Sequence, residues 1–379
     1  MGDTARKRLT YVTDLEHTPS GGGAYAVNWH AFNELAKRFD VHYAGPIVPR
    51  VPTLETWISK FRRRILKRQG TYTYFSNATL DDNARRVESA ITNGSDAILF
   101  RSAGRWSHSR PSVPYFVYLD AVTHTFFHNT FSETDFIRED LERIWRDEAL
   151  FLESASGVFF ESEWGMRKAL EAYYLKREHY SVAGRGGVID PPKSDRWNNS
   201  LRLVTIAMDF KQKGGDLVAD AYSKLKPHHP SLSWSIIGGK PDEATASMPG
   251  VTYEGVLRPD IPTEAARLRS ILADAFLLIH PTREDTSPLV ITEAAYFGCP
   301  AISVNAFAIP ELIIDGKTGM LLPPAPTADE IAGAIGSLAA DDDRYKSMRI
   351  ESRNYSLANF RWDRVGSVIC DGIASVIGG

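Results

Sequence analysis

The segment HPTREDTSPLVITEAAYFGCPAISV, residues 280–304, carries polar groups at a spacing that suits the binding of an anion. An acidic loop that ends at Asp285 leads into a predicted helix that opens near Ser287-Pro288, and proline suits the first turn of a helix. Backbone N–H groups at the start of that helix would point at an anion, each favourable charge being worth roughly 0.3–1 kcal/mol. The predicted anion-binding stretch comprises Thr286, Ser287, Pro288, Leu289 and Val290.

Glu293 is a further candidate in the same segment. It follows Asp285 by two helical turns on the same predicted face, and it stands between Val290 and Ala294 in an otherwise apolar stretch. A glutamate in this position can accept two hydrogen bonds from the diol of a ribose. The alternative is a solvated glutamate on a capped amphipathic helix, which the apolar neighbours of Glu293 fit poorly.

Two lysines of the segment DFKQKGGDL, residues 209–217, follow another predicted strand. Lys211 and Lys213 flank a turn that ends at Gly214-Gly215, where a helix opens. A lysine at such a strand end can neutralise a phosphate as a mobile point charge. The alternative is a pair of solvated lysines on a loop, and the segment by itself leaves both interpretations open.

A glycine loop, SGGGAY at residues 20–25, lies between a predicted strand and a predicted helix. Glycines let backbone N–H groups approach an anion closely at the positive end of a helix, which makes Gly22 and Gly23 candidates for contact with a phosphate or a sugar hydroxyl. A flexible connection between strand and helix is an equal alternative. The loop is not GxGxxG, and this departure counts against a dinucleotide site.

The elements that must position these residues alternate along the chain. Short apolar runs predict strands, and amphipathic stretches between them predict helices, among them 215–225, 262–272, 288–298 and 328–338. The predicted strands lie at 8–15, 40–47, 96–103, 114–120 and 157–162, and then at 201–208, 232–239, 250–255, 274–281, 299–305 and 318–324. The segment 186–200 between the two series is rich in Gly, Pro, Asn and Ser, as linkers are. The pattern predicts an α/β protein of two Rossmann-like domains that face each other across a cleft.

Length and composition agree with two globular domains and exclude several classes of protein. The chain has 379 residues, of which 43% are hydrophobic and 24% charged, which is ordinary for a globular protein and excludes a disordered chain. The net charge of −3 argues against nucleic acid as a partner. Two cysteines exclude a disulfide scaffold and a cysteine-based zinc site. The N-terminus does not read as a signal peptide and no apolar run reaches the ~18–20 residues of a membrane span, so we expect a cytoplasmic protein.

Taken in order, these segments resemble the GT-B glycosyltransferases of the large retaining family 4 group. Asp285 through Glu293 matches the acidic-x7-Glu element of that family, and IPELIIDGKTGMLLPP at 309–324 matches a later stretch. KGGDL matches the phosphate-side lysine motif, and SGGGAY occupies the place of the N-terminal glycine loop. IIGGKPD at 236–242 and YEGVLRPD at 253–260 match segments that border the nucleotide base, which implies roles for Gly239 and Leu257. The resemblance covers about 201–330 and, thinly, the first half.

The resemblance implies an acceptor-binding domain at 1–190, a donor domain at 191–360 and a C-terminal helix at 361–379 that crosses back to the first domain. It implies a UDP-, GDP- or dTDP-linked sugar as co-substrate, retention of anomeric configuration and no divalent metal. Lys213 would then contact the diphosphate with help from Lys211, Asp285 would hold sugar hydroxyls, and Glu293 would hold the ribose. The acceptor, a glycan or a lipid-linked molecule, would meet Asp120 and His124 in the first domain.

Two departures from the family pattern keep other functions open. Family members usually carry Glu at the position of Asp285, and they commonly carry Arg at the position of Met208, which would be a bidentate phosphate partner. Either Lys211 replaces that arginine or donor binding is weaker. A catalytically silent homologue that scaffolds a glycan-assembly complex is therefore one alternative, and a GT-B nucleotide-sugar epimerase is another.

A basic segment, LETWISKFRRRILKRQ at 54–69, points to a further partner. Drawn as a helix, it places one apolar face beside a row of cations: Lys60, Arg62, Arg63, Arg64, Lys67 and Arg68. That pattern is typical of a helix lying on an anionic membrane, with each cation adding roughly 1 kcal/mol. The equal alternative is a helix whose apolar face packs on the core. A membrane-bound segment would place the protein at the inner face of the cell membrane and would suit a lipid-linked or cell-envelope acceptor.

Overall fold

The computed structural model describes residues 6–20, 22–91, 94–130 and 133–378, apart from the side chains of Asn129, Thr130 and Arg177. The chain divides into two units, the first formed by Met1–Arg185 with Trp362–Gly379 and the second by Gly186–Arg361. Each unit is built on a six-stranded parallel sheet with helices between its strands.

The first unit carries six strands in the order β2-β1-β3-β4-β5-β6. Its central strands are buried along their whole length, as the continuous apolar runs AILFR and YFVYL require of a parallel sheet covered on both faces. The strands are β1 Arg8–Val12, β2 Asp40–Ala44, β3 Ala97–Arg101, β4 Tyr115–Leu119, β5 Gly157–Phe160 and β6 Tyr180–Val182. The helices are α1 Gly23–Leu35, α2 Thr53–Arg64, α3 Asn77–Ala90, α4 Thr123–Thr130, α5 Arg138–Glu153 and α6 Glu163–Tyr173.

The second unit carries six strands in the order β12-β11-β10-β7-β8-β9. The strands are β7 Arg202–Ala207, β8 Ser233–Gly238, β9 Val251–Gly255, β10 Ala275–His280, β11 Ala301–Val304 and β12 Gly319–Leu322. The helices are α7 Gly215–Leu225, α8 Glu243–Ala246, α9 Pro262–Ala273, α10 Leu289–Tyr296, α11 Ile309–Leu312, α12 Ala328–Ala339 and α13 Asp342–Asn359. This is the doubly wound Rossmann order, in which chain direction across the sheet reverses between β7 and β10.

The last helix, α14 Trp362–Ile377, belongs to the first unit. Its Trp362 ring stacks on His30 of α1 with the ring centroids 5.2 Å apart. Gly366 lies against Glu34, where a Cβ atom would come within 2.5 Å of the glutamate Cβ, so only glycine allows the two helices to approach this closely.

The predicted α/β architecture is confirmed, and each predicted strand is present with both ends within three residues of the prediction. The three-residue edge strand β6 was missed because so short a run carries no periodicity. The basic helix was drawn too long: α2 ends at Arg64, and Lys67 adopts a left-handed backbone with φ +50°, so Lys67 and Arg68 follow the helix rather than lie on it. Among the described residues, no helix combines the length and apolar character that crossing a bilayer demands.

Candidate functional site

The candidate site lies at the C-terminal edge of the second sheet, at the switch point between β7 and β10. In a doubly wound sheet the connections that follow these two strands run to opposite faces, and the crevice at such a switch point is the usual place for a ligand. Lys213 lies in the loop after β7, and Asp285 lies in the loop after β10. The fold thus brings together two predicted site residues that are 72 positions apart in the sequence.

A tight turn after β7 aims Lys213 at this crevice. Gly214 precedes α7 with φ +79°, and a Cβ atom there would come within 2.2 Å of the Pro281 carbonyl oxygen. Gly215 is equally confined, since a Cβ atom would lie 2.3 Å from the ring of Phe210. Glycine is required at Gly214 by backbone conformation and at both positions by close approach, which explains the Gly-Gly pair of the motif.

Lys213 and Asp285 form an ion pair that is mostly screened from water. The Lys213 ammonium donates to Asp285 Oδ2 at 2.7 Å and to the Glu284 carbonyl oxygen at 2.6 Å, and both side chains are about one fifth exposed. His280 Nε2 lies 3.3 Å from the same Asp285 oxygen. Burial alone would raise the pKa of Asp285, but the hydrogen bond with His280 and the charge of Lys213 outweigh burial and lower that pKa to about 2. Asp285 is therefore a carboxylate at neutral pH.

The neighbouring acidic loop is fixed by contacts with the β7–α7 turn. Arg283 makes a two-pronged ion pair with Asp216, at 2.7 and 3.0 Å, and also donates to the Lys211 carbonyl oxygen. Gln212 Nε2 donates to a Glu284 carboxylate oxygen at 2.8 Å. These contacts hold the two loops against each other, while the Lys211 side chain remains exposed.

The helix that follows the acidic loop starts one residue later than the motif predicts. Leu289 is its first residue, and Pro288 is the N-cap, where its missing N–H costs nothing. No side chain caps this helix start, and the Thr286 carbonyl oxygen accepts the N–H of Ala308 at 3.0 Å. The backbone donors at Leu289 and Val290 therefore receive no side-chain cap, although Pro288 itself offers no donor.

Glu293 is buried, with 7% of its surface exposed, rather than solvated. One carboxylate oxygen accepts the backbone N–H of Val188 at 2.8 Å. Gly187 lies so close to this glutamate that a Cβ atom would stand 2.9 Å from Glu293 Cγ. Glu293 is thus held by the first residues of the second unit, and the solvated alternative for this side chain is wrong.

Gly239 directly follows β8, the neighbour of β7, and Leu257 follows the edge strand β9. The Gly239 N–H donates to the Ala207 carbonyl oxygen at 2.7 Å, and a Cβ atom at Gly239 would come within 2.1 Å of the Met208 carbonyl oxygen. Leu257 packs half-buried against an apolar cluster of the second unit. The Met208 side chain itself is 72% exposed, so the position of the missing arginine faces solvent.

Three residues of the first unit that follow strands or precede a helix are candidates for acceptor contacts or lie beside them: Gly22, Asp120 and Asp14. Gly22 has φ +99° at the start of α1, a conformation that favours glycine, while Gly21 of the same loop lies outside the described residues. Asp120 is exposed directly after β4, and one of its oxygens accepts the Ala121 N–H at 2.8 Å. Asp14 after β1 pairs with Arg105.

His124 lies in α4, half-buried beside a depression of about 400 Å³ that His128, Trp164 and Lys168 also line. Its ring stacks on His128 with the centroids 4.2 Å apart. Burial lowers the pKa of His124, and the neighbouring His128 lowers it further. Both effects favour the neutral form of the His124 imidazole.

A buried ionic cluster in the first unit was missed at the level of sequence. Arg101, the last residue of β3, donates to Glu161 at 2.6 Å, and Arg185 donates to the other Glu161 oxygen at 3.2 Å. Burial raises the pKa of Glu161, while the two guanidinium groups act to lower it. The sequence signal was available, because a charged residue directly ends the otherwise apolar runs AILFR and GVFFE.

Comparison with known proteins agrees with the motif-based resemblance. Residues 201–341 match the family model of the glycosyl transferases group 1. A GDP-mannose-dependent alpha-(1-6)-phosphatidylinositol monomannoside mannosyltransferase of Mycolicibacterium smegmatis is 30% identical over 178 residues, which are 45% of this chain and 46% of that protein. A D-inositol 3-phosphate glycosyltransferase of Nocardia farcinica is 29% identical over 162 residues, 40% of this chain and 35% of that protein. The chain thus matches less than half the length of these curated relatives.

Solved structures extend the likeness in fold to nearly the whole chain. A sucrose-phosphate synthase from Thermosynechococcus elongatus gives a TM-score of 0.70 at 16% identity and covers 98% of this chain and 99% of its own. Anabaena HepE in complex with UDP gives 0.65 at 16% identity and covers 97% of this chain and 100% of its own. The GT-B fold is confirmed by these structures, and the sequence match to the glycosyl transferases group 1 is confined to residues 201–341.

Proposed function

We propose that the protein is a glycosyltransferase that moves a sugar from a nucleotide-diphosphate sugar to a glycan or lipid-linked acceptor. The observation that carries this proposal is the Lys213–Asp285 pair at the switch point of the second sheet, inside the segment that matches the glycosyl transferases group 1. A cation and a carboxylate held in one crevice supply what a sugar diphosphate presents, namely an anion and a set of hydroxyls.

The donor diphosphate would lie against Lys213 and the start of α10. An ammonium group has three hydrogens, and Lys213 directs two of them at Glu284 and Asp285, so a phosphate oxygen can accept the third. The uncapped N–H groups of Leu289 and Val290 add the partial positive charge of a helix start. When the bond to the sugar breaks, negative charge grows on the diphosphate, and each preorganised donor of this kind is worth roughly 3–4 kcal/mol in the transition state.

The sugar and the ribose would occupy opposite sides of that diphosphate. Asp285, a carboxylate with a pKa of about 2, would accept hydrogen bonds from sugar hydroxyls. Glu293 would accept from the ribose, and Gly239 and Leu257 would border the base. Lys211, exposed beside the turn, would take the place of the arginine that is absent at Met208.

We extend the proposal to retention of anomeric configuration and to metal independence. In this site the leaving-group charge would be met by Lys213 and by the backbone of α10, which is the work that a divalent cation does in other transferases. Thin-layer or NMR analysis of the product anomer, in buffer with and without a chelator, checks both statements.

The acceptor would bind in the first unit. Asp120 is exposed at the C-terminal end of the sheet, where ligands of α/β folds bind, and it is placed to take a proton from an acceptor hydroxyl. His124 lines a depression that is open to solvent, and Gly22 and Gly23 stand at the start of α1. We propose a peripheral position at the inner face of the membrane for the protein, because helix α2 presents cations and apolar side chains to solvent.

A second candidate function is a catalytically silent homologue that scaffolds glycan assembly. The exposed Met208, which leaves one phosphate partner missing, favours it. A nucleotide-sugar epimerase of the same fold would instead turn over the donor without any acceptor. These alternatives differ from the transferase in whether the donor is consumed and in whether an acceptor is needed.

Donor binding is tested by thermal shift with a panel of free nucleotides and UDP-, GDP- and dTDP-sugars. The relative from M. smegmatis is GDP-mannose-dependent, so the GDP arm is the first to measure. A ligand at 100 times its Kd stabilises the folded state by about 2.7 kcal/mol. Lys213→Ala and Glu293→Ala should each weaken this shift, while Lys224→Ala, whose exposed lysine pairs with Asp329 on the same unit, should keep it. Retained affinity in both site variants would remove the site assignment.

A further inference from the structure

Helix α2 packs on the first unit with its polar side and turns its apolar side to solvent. Ser59 is buried, and its hydroxyl donates to the Thr71 carbonyl oxygen at 2.7 Å, while the Thr56 hydroxyl lies 3.0 Å from that of Thr73. The apolar side chains, here termed the outer row, are exposed to between 39% and 69%: Leu54, Trp57, Ile58, Phe61 and Ile65. A surface helix of a globular protein normally shows the reverse arrangement. The core-packed alternative for this segment is therefore wrong.

The cations around the outer row have no acidic partners within the described part of the chain. Lys60, the three arginines at 62–64, Lys67 and Arg68 form no ion pair with any residue that the structure describes. The segment contains a single acidic residue, Glu55. Unpaired like charges repel one another, so an anionic partner would relieve that repulsion.

A pocket of about 590 Å³ lies between α2 and the segment 71–74. Its walls are aromatic, with Trp57, Tyr72, Tyr74 and Phe136, and Thr53 and Thr71 contribute to its lining. The two cations that line it are Lys60 and Arg63.

Arg63 is the residue of this pocket that points most directly to an anionic ligand. Its guanidinium group lies over the Phe136 ring, with the guanidinium carbon 4.7 Å from the centroid, which is within the range of a cation–π contact. Its Nε atom is buried and has no hydrogen-bond partner in the described structure. A buried N–H without an acceptor is costly, and a ligand oxygen in the pocket would satisfy it.

We propose that this pocket binds the phosphorylated head of an anionic lipid, and that the outer row of α2 inserts into the same bilayer. Lys60 and Arg63 would contact the phosphate, since a guanidinium and an ammonium group are its usual partners. The aromatic walls would pack against the apolar faces of the head group, and the threonine hydroxyls of the rim would hydrogen-bond its oxygens. This inference deepens the proposed function, because it gives the acceptor domain a specific site for a lipid.

The test distinguishes binding of a lipid head group in the pocket from the general electrostatic attraction between a basic helix and an anionic surface. One variant, Lys60→Gln/Arg63→Gln, removes two cations from the pocket, and the matched control, Arg62→Gln/Arg64→Gln, removes two cations of α2 that do not line it. Partition of the full chain is measured on neutral phosphatidylcholine vesicles with and without an anionic phospholipid. Two lost charges should weaken partition of either variant about 30-fold, because each cation near an anionic surface contributes about 1 kcal/mol.

Short-chain phosphatidic acid, kept below its micelle concentration, reports on the pocket alone. We expect the control variant to bind it like the wild type and Lys60→Gln/Arg63→Gln to bind at least about tenfold more weakly, since a charge-assisted hydrogen bond contributes that much. Circular dichroism and melting temperature check that each variant is folded. Arg63→Lys, which keeps the charge but loses the planar guanidinium group, should bind with intermediate affinity.

Three results would overturn the proposal. Equal binding of the soluble lipid by both double variants would show that the pocket is not the site. Inorganic phosphate that competes as well as the lipid would identify a free-phosphate site rather than a lipid site. Equal binding to anionic vesicles and to double-stranded DNA would show that α2 binds polyanions without specificity for a lipid. These assays contain no nucleotide sugar, so their outcome is independent of whether the chain transfers a sugar.

Discussion

Replacing Asp285 with asparagine removes a charge whose contribution to stability follows from its surroundings. The Lys213 ammonium at 2.7 Å and the His280 ring at 3.3 Å together outweigh burial and lower the pKa of Asp285 from 3.8 to about 2. Each pKa unit corresponds to 1.36 kcal/mol, so ionised Asp285 contributes about 2 kcal/mol to the free energy of unfolding. We therefore expect Asp285→Asn to lower that free energy by about 2 kcal/mol at neutral pH.

The sign of the pH dependence follows from the direction of the shift. The folded pKa lies below the unfolded value, so the contribution is fully present above pH 3.8 and is lost as the pH falls through about 2. The difference between wild type and Asp285→Asn should therefore stay constant from neutral pH down to about 4 and shrink only below it.

The assay is unfolding in urea, monitored by the hydrogen exchange of peptides from β10 and α7. These peptides report on the stability of the second unit alone. A double-mutant cycle with Lys213→Met measures the coupling of the pair. Asp216→Asn is the matched control, since its partner Arg283 is 44% exposed and such surface pairs contribute about 0–1 kcal/mol. A coupling below about 0.5 kcal/mol, or a loss in Asp285→Asn no larger than in the control, would refute the reasoning.

Two further predictions concern the first sheet and the β7–α7 turn. Glu161→Ala leaves the buried cations Arg101 and Arg185 without a counter-charge. We therefore expect the free energy of unfolding of the first unit, measured in urea, to fall by about 3–5 kcal/mol. A loss below about 1 kcal/mol would contradict a buried ionic cluster. Gly214→Ala places a Cβ atom within 2.2 Å of the Pro281 carbonyl oxygen at φ +79°, so calorimetry should show weaker nucleotide binding, with unchanged affinity as the opposing result.

The sheets were predictable from sequence because parallel strands buried on both faces leave continuous apolar runs. LRLVTIAM and DAFLLIHP are bounded by polar turns, and the structure ends β7 and β10 within a residue or two of these limits. The turn glycines were also predictable, because a Gly-Gly pair directly before an amphipathic stretch is typical of a tight turn that leads into a helix.

Other features depend on which strands become neighbours. The sequence alone does not say that β7 pairs with β10, so only the family resemblance assigned Lys213 and Asp285 to one site, and their direct contact was not predicted. The pairing of Arg101 with Glu161 likewise spans 60 positions and needs the order β3-β4-β5. Tertiary order, rather than local propensity, brings these charges together.

The orientation of α2 could not be predicted from the sequence for a different reason. An amphipathic pattern predicts that one face differs from the other, but it does not tell which face meets the protein. Here the short polar contacts of Ser59 and Thr56 with the segment 71–73 decide it, and Trp57 and Phe61 are left outside.

The most direct test of the central claim is the release of nucleoside diphosphate from a panel of UDP-, GDP- and dTDP-sugars, with anionic lipid vesicles as the acceptor source. We expect release from one donor class that rises when the acceptor is added. Lys213→Ala should lower it by about 100-fold or more, the usual effect of losing one transition-state donor. Lys224→Ala should leave it unchanged. No release from any donor would contradict the account and favour a scaffold, while donor turnover that needs no acceptor would favour an epimerase.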